Sequence, residues 1–314
     1  VYSSSTGLLV ENSNTTLIFE SGEIGAISVA MNIPSTMTRN NSGTYENGKV
    51  NIPQNMHIAY KTEGKYTINY LTTGSKVATL EVNGTVTEYG SIYDAVASSP
   101  TDGTYAKITM YENEIISRKL EILAGQNIEI DLNGKELVGK NYINSNGNLI
   151  INDTSEEQTG KIELDAQYVI YNQGTGTVEL KAGLLRAYTD VYTSRYGIHN
   201  NSTGTIKMSG GKIVVETTHY GYCIYNASNG RVEFTNGEMV NNNGLDGGGI
   251  YNKNGVVVMN GGTMYPVYKG IQSENNGTVE INGGTIITTK YEPIGNKGTG
   301  NVVINNGLLK VIET

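Results

Sequence analysis

Four residues at one repeating offset carry the clearest potential for recognition chemistry: Tyr171, His199, Tyr225 and Tyr251, followed at the same offset by Gln272 and Gly295. Each stands one residue after an isoleucine that recurs as Ile170, Ile198, Ile224, Ile250, Ile271 and Ile294. Neighbouring side chains in an extended strand point to opposite faces, so if the isoleucines face a core, the aromatic column faces outward. Rings stacked at a strand repeat of about 4.8 Å could take sugar rings against their faces. A second reading is open for the same column, in which the aromatics pack between strands only to stabilise the sheet. Tyr188, Tyr192, Tyr196, Tyr220 and Tyr222 crowd the segments leading into it.

Other chemistry finds less support. Glycoside hydrolysis needs two carboxyls roughly 5–9.5 Å apart. The best outward series is Glu179, Lys207, Glu233, Val258, Glu280 and Val303, whose first three members alternate in sign and read as cross-strand charge pairing. Asp153, Glu156 and Glu157 form an acidic loop, open either to calcium or to plain solvation. Calcium wants several convergent oxygens, and the other aspartates, among them Asp165, Asp190 and Asp246, are scattered. Cys223 is the single cysteine, which rules out an internal disulfide, and His219 before it reads as a loop residue rather than the partner of a nucleophile. No phosphate-binding Gly-x-x-x-x-Gly-Lys-Ser/Thr loop and no zinc-ligand spacing occur. Neither cofactor nor metal is expected.

The net charge of −8 and the absence of a Lys/Arg run argue against nucleic acid or anionic lipid as partners. No run of 18 apolar residues is present to span a membrane as a helix. The chain opens at Val1 inside what reads as structured sequence, so a fragment of something larger is expected and a missing secretion signal says nothing.

Positioning the columns falls to a repeat. Glycine supplies 40 of 314 residues, nearly double the usual share of about 7%, which fits many short strands joined by tight turns. From Tyr168 onward the sequence aligns with itself six times, in units 21 to 28 residues apart, each ending on a glycine: Gly183, Gly211, Gly237, Gly262, Gly284 and Gly307. Within a unit apolar residues alternate with period two, as in Val178/Leu180, Ile206/Met208 and Val232/Phe234. Leu185, Ile213, Met239, Met264, Ile286 and Leu309 follow two residues past the glycine. Each unit therefore supplies three strands, and stacking identical units pairs each strand in parallel with its equivalent. One residue beyond the aromatics runs a further column, Asn172, Asn200, Asn226, Asn252, Ser273 and Asn296. Asparagine tolerates left-handed backbone and can both donate and accept, so a ladder of side-chain amides between coils is expected there.

Upstream, LEILAGQNIEIDLNGKEL (120–137) reads as the first full coil, with a tight turn at Asn133-Gly134. The segment 91–99 reads as a short helix capping the open end of the solenoid, with Ser91 and Asp94 as a capping box and Ile92, Ala95 and Val96 on one face. Residues 1–30 repeat the unit once more, with Val10, Asn12, Leu17, Phe19, Gly22 and Ile24 on the expected columns. One coil cannot bury its own face, so this segment belongs to a preceding β-helix or docks onto the present one. Residues 31–81 read as a linker or small β region, in which KYTINYL and KVATLEV are the clearest strands.

The unit Y-x-I-x-N…G-T-V-x-(I/L)-x-G-G-x-I, with the entry segment ITMYENEI…LEILAGQNIEIDLNGKEL, resembles the pectate-lyase-like β-helices of secreted and surface proteins of anaerobic bacteria, over residues 82–314. The resemblance implies an all-β fold, a right-handed single-stranded parallel β-helix with three strands per coil. It is specific for fold and weak for function, because that superfamily spans lyases, hydrolases, adhesins and spacers. The catalytic clusters of its polygalacturonase-like enzymes are missing: there is no Asp-Asp pair, and no histidine is followed by glycine. The expectation is a non-catalytic, secreted or cell-surface binding module that contacts a polysaccharide or a host surface protein. A structural spacer is the alternative, and a polysaccharide lyase or hydrolase the reading the missing motifs disfavour.

Overall fold

A computed structural model describes residues 2–312 apart from 4–5, 13, 21–22, 27–28, 33–38, 41–46, 48, 54–55, 64–65, 74–76, 190, 243–245 and 267. The fold is an all-β parallel β-helix of about eight coils with three strands per coil. Among the described residues, three long sheets run along it. Sheet I carries parallel strands from Tyr105–Met110 to Val302–Ile304, sheet II from Glu114–Ile116 to Leu308–Val311, and sheet III from Leu120–Ile122 to Ile294–Asn296.

The register is the one that the repeat demands. Ile143, Ile170, Ile198, Ile224, Ile250, Ile271 and Ile294 pair in succession along sheet III. All but Ile294 are fully buried; Ile294 is half-buried, and the last strands of sheets I and II expose Ile304 and Leu308 further, since no coil stacks beyond them among the described residues. Every glycine of the unit-ending column has a positive φ, from 66° at Gly211 to 133° at Gly307. That region is one L-residues with a Cβ avoid, so the column marks the turn from sheet I into sheet II. At Gly262 a Cβ would also fall 2.3 Å from the ring of Phe234 in the coil before.

The solenoid starts earlier than the sequence suggests. Tyr105–Met110 and Glu114–Ile116 precede Leu120–Ile122 as the first two strands of the first coil, because Ala106, Ile108 and Met110 alternate inward. A hairpin of Ala78–Val82 and Thr85–Tyr89 then adds to this edge of sheet I in antiparallel fashion, turning at Asn83-Gly84 with φ of 50° and 77°. At this edge the parallel stack of sheet I gives way to antiparallel pairing.

Helix α1 (Ile92–Ala97) lies beside that hairpin and inserts Ile92, Ala95 and Val96 into the main core. Its cap has a partner beyond the expected box. Ser91 Oγ accepts from Tyr93 N at 3.1 Å, and a second carboxylate, Glu114, reaches the cap from 23 residues away. Glu114 Oε1 accepts from Ser91 Oγ and Oε2 from Ile92 N, at 2.9 and 2.7 Å. A tertiary contact thus joins the local residues at this helix end. Gln126 Nε2 closes the other end, donating to Val96 O and Ser99 O.

The N-terminal segment pairs within itself. Thr6–Leu9 lies parallel to Val29–Asn32, and Leu17–Ile18 parallel to Val50–Asn51, around a separate small core of Phe19, Met31, Val50, Ile52 and Ile58. Tyr66–Thr73 and Ala78–Val82 are strands, as the KYTINYL and KVATLEV patterns predict; Gly22 lies outside the described residues.

Candidate binding face on sheet III

Two columns that are adjacent in sequence leave sheet III in opposite directions. Asn172, Asn200, Asn226 and Asn252 are fully buried at the corner where sheet III turns towards sheet I. Their amides form a continuous chain: Asn172 Nδ2 donates to Asn200 Oδ1 at 2.8 Å, Asn200 to Asn226 and Asn226 to Asn252 at 2.9 Å. Asn200, Asn226 and Asn252 also donate to the carbonyls of Gly204, Gly230 and Gly255. The loop glycines are part of this device: a Cβ on Gly230 would lie 2.0 Å from Asn200 Nδ2, and one on Gly255 2.3 Å from Asn226 Nδ2. At Ser273 the chain thins to 3.5 Å, since a hydroxyl reaches less far than an amide. Asn296 does not join it. It is exposed and closes its own turn, donating to Gly300 O and accepting from Gly298 N.

The other column behaves differently. Tyr171, His199, Tyr225 and Tyr251 are half-buried on the outer face of sheet III. Ring centroids lie 5.2 Å apart for Tyr171–His199, 4.9 Å for His199–Tyr225 and 4.5 Å for Tyr225–Tyr251. The last pair is stacked at 4°, so these two rings each turn one face to the other rather than to solvent.

A second aromatic column, unforeseen as such, runs alongside. Tyr168, Tyr196 and Tyr222 pair in register three residues before the first set. Simple alternation would send one of the two sets inward. A local bulge keeps both out: an extra residue, Val169, Gly197 or Cys223, is buried between them. Gly197 is required, for a Cβ there would come within 2.4 Å of Ile213 Cγ2. The signal was present in sequence as Tyr-x-Ile-Tyr/His repeated three times. Tyr142 joins the patch edge-on to Tyr168 and Tyr171. Tyr192, His219 and Tyr220 form a separate ring cluster on the preceding loops, where Ser194 Oγ lies 3.2 Å from His219 Nδ1.

His199 sits at the centre of the patch with the rings of Tyr168, Tyr171, Tyr196 and Tyr225 around it. Both its ring nitrogens are enclosed and meet no hydrogen-bond partner among the described residues. Burial drives its pKa down to about 4, so the imidazole is neutral at physiological pH. Burial likewise raises the phenol pKa values of Tyr168, Tyr196 and Tyr225. The patch is therefore uncharged.

Where the aromatic columns end, a groove of about 300 Å³ opens. Tyr196, Tyr220, Tyr222, Tyr225 and Tyr251 supply its aromatic lining. The next coil replaces rings with polar groups: Gln272 follows Tyr251 in register, and Lys269, Glu274 and Lys297 also line the groove. Glu274 Oε2 accepts from Tyr251 Oη at 2.5 Å and Oε1 from Gln272 Nε2 at 3.0 Å. Burial and this carboxylate both push the Tyr251 phenol well above its ordinary pKa. Gln272 is 3% exposed, and its Oε1 has no donor among the described residues.

The remaining candidates resolve into structural roles. Asp153 is buried and accepts from Gly134 N, Ser155 N, Ser155 Oγ and Gly160 N, so it staples its own loop while Glu156 and Glu157 face solvent. In the outward series of sheet I, Lys207 lies 3.8 Å from Glu233, and Glu179 accepts from Ser209. Asp165 pairs with Arg195 at 2.8 Å; Asp190 lies outside the described residues. Cys223 is fully buried and its thiol pKa is raised by that burial, which leaves it unreactive. Among the described residues no group of three His, Cys, Asp or Glu side chains could hold a metal ion, and no helix is long and apolar enough to cross a membrane. No known protein family, curated protein or solved structure matches the chain.

Proposed function

We propose that the chain is a non-catalytic binding module of a secreted or cell-surface protein of the pectate-lyase-like β-helix kind, and that it holds a glycan on the outer face of sheet III. The kinship rests on the repeat unit and the three-sheet coil. The observation that carries the binding reading is the aromatic patch that ends in a polar groove. Apolar ring surface beside a few convergent hydrogen-bonding groups is the composition of a carbohydrate site.

The geometry refines which surfaces take part. Because Tyr225 and Tyr251 stack on each other, a sugar meets the patch at the ring edges and at the groove rather than along an unbroken strip of faces. The patch is uncharged, so affinity is expected to depend weakly on salt.

The test is affinity electrophoresis of the protein in gels cast with a panel of soluble plant, host and microbial polysaccharides, followed by calorimetry on those that retard it. The Tyr225→Ala/Tyr251→Ala double variant, checked for folding by its far-ultraviolet spectrum, should lose at least about tenfold in affinity, the equivalent of one good contact. No retardation by any polysaccharide, or full retention of affinity in the folded variant, overturns the reading. It would leave a spacer, in which the rings only brace the sheet. That second reading is favoured by the face-to-face stacking of Tyr225 on Tyr251.

A further inference from the structure

The groove at the end of the aromatic patch has a polarity pattern that selects among sugars, and this inference rests on the glycan reading above. The carboxylate of Glu274 can only accept, and it already takes Tyr251 Oη and Gln272 Nε2. That contact fixes the amide of Gln272: the nitrogen must face Glu274, and Oε1 must face away. Oε1 is then a buried acceptor with no donor among the described residues. An unsatisfied buried carbonyl is costly, and a ligand that donates to it removes that cost. Tyr222 and Tyr251 supply apolar ring surface in the same groove, and Lys269 and Lys297 line it as well; a lysine ammonium is a donor with no acceptor capacity.

We propose that the groove recognises the acetamido group of a 2-acetamido sugar. Its N–H is the donor that Gln272 Oε1 lacks, its carbonyl accepts from a lysine ammonium, and its methyl packs on the tyrosine rings. A bare hydroxyl would serve Gln272 but leave the rings without an apolar partner. A uronate would meet the lysines but oppose Glu274.

Binding of N,N′-diacetylchitobiose, chitobiose (its deacetylated form) and cellobiose is compared by calorimetry, with N-acetylglycine N-methylamide as a secondary amide without a sugar. Diacetylchitobiose should bind at least about tenfold more tightly than the other three, the difference one satisfied hydrogen bond supplies. Saturation-transfer NMR on the unaltered protein should place the strongest transfer on the acetyl methyl. In the Gln272→Leu variant, with folding confirmed by its melting curve, the preference for diacetylchitobiose over cellobiose should disappear. Equal binding of cellobiose and diacetylchitobiose overturns the acetamido assignment and leaves glycan binding standing. Equal binding of the peptide amide overturns the sugar as its source. Failure of all three sugars here, with a polysaccharide retained in the gels, also rejects the acetamido assignment alone; failure in both rejects the glycan reading with it.

Discussion

Adjacent residues in each coil, Tyr225 and Asn226 for instance, head two columns that repeat with the same period and obey different rules. The inner column satisfies itself in its middle, and only the carbonyl oxygen of its first member, Asn172, is left without a donor among the described residues. Asn200 and Asn226 each donate to the next amide and to a loop carbonyl, and each accepts from the amide before. In the outer column more polar groups are left over among the described residues: Asn144 Oδ1 one coil before Tyr171, the two nitrogens of His199, and Gln272 Oε1 where the rings stop. A buried polar ladder is tolerated in a core only when its members are paired, because the low dielectric that strengthens each bond also makes an orphan expensive. Of these groups Gln272 Oε1 is the one whose residue lines the groove, where a bound ligand could supply the missing donor.

Mutations that act on one column and not the other can break this contrast. The largest effect should come from the core that both columns rest on. Ile224→Ala removes a fully buried side chain in mid-ladder and should destabilise by about 2–5 kcal/mol; chemical denaturation measures it, and a loss under about 1 kcal/mol would place the isoleucine column outside the core. Next, Asn226→Ala takes the acceptor from Asn200 Nδ2 and the donor from Asn252 Oδ1. Stability should fall by about 1–3 kcal/mol. A neutral result would show the inner chain of amides to be as dispensable as a surface contact.

The outer column should cost less. The Tyr225–Tyr251 stack contributes roughly 0.5–1.5 kcal/mol beyond its buried area, so Tyr251→Ala should destabilise less than Asn226→Ala while weakening ligand binding more. The reverse order on either measurement erases the distinction.

His199 sharpens the comparison through pH. Its folded pKa of about 4 lies below the ordinary 6.5, so between these values the unfolded chain binds more protons than the folded one. Stability from this group is complete above pH about 6.5 and is lost as pH falls towards 4, with a ceiling of about 1.4 kcal/mol per pKa unit. Melting curves at pH 5 and 7 should separate more for the wild type than for His199→Phe. Equal separation would mean that the imidazole is solvated.

The smallest change is expected to be a gain. Ser273→Asn should restore an amide opposite Asn252, where the hydroxyl is 3.5 Å away, and stabilise by about 0.5–1.5 kcal/mol.

The sequence alone determined the coil, the register and the faces. Period-two alternation sets which side chains point inward, and a unit repeated six times leaves parallel stacking as the arrangement that brings like residues together. The turn glycines and the inner asparagines were legible for the same reason: each answers to a constraint inside its own unit. Only the tertiary structure decided what depends on residues from different coils or on a departure from the period. It supplied Glu114 as a partner of Ser91, a contact made across 23 residues. It turned Asn296 away from the ladder at the last coil, where nothing stacks beyond it among the described residues. It brought Tyr168, Tyr196 and Tyr222 to the outer face through a bulge that alternation cannot express. And it isolated Gln272 Oε1 beneath a groove formed by neighbouring coils, because whether a polar atom finds a partner depends on every element packed around it, and no unit of the repeat contains that information.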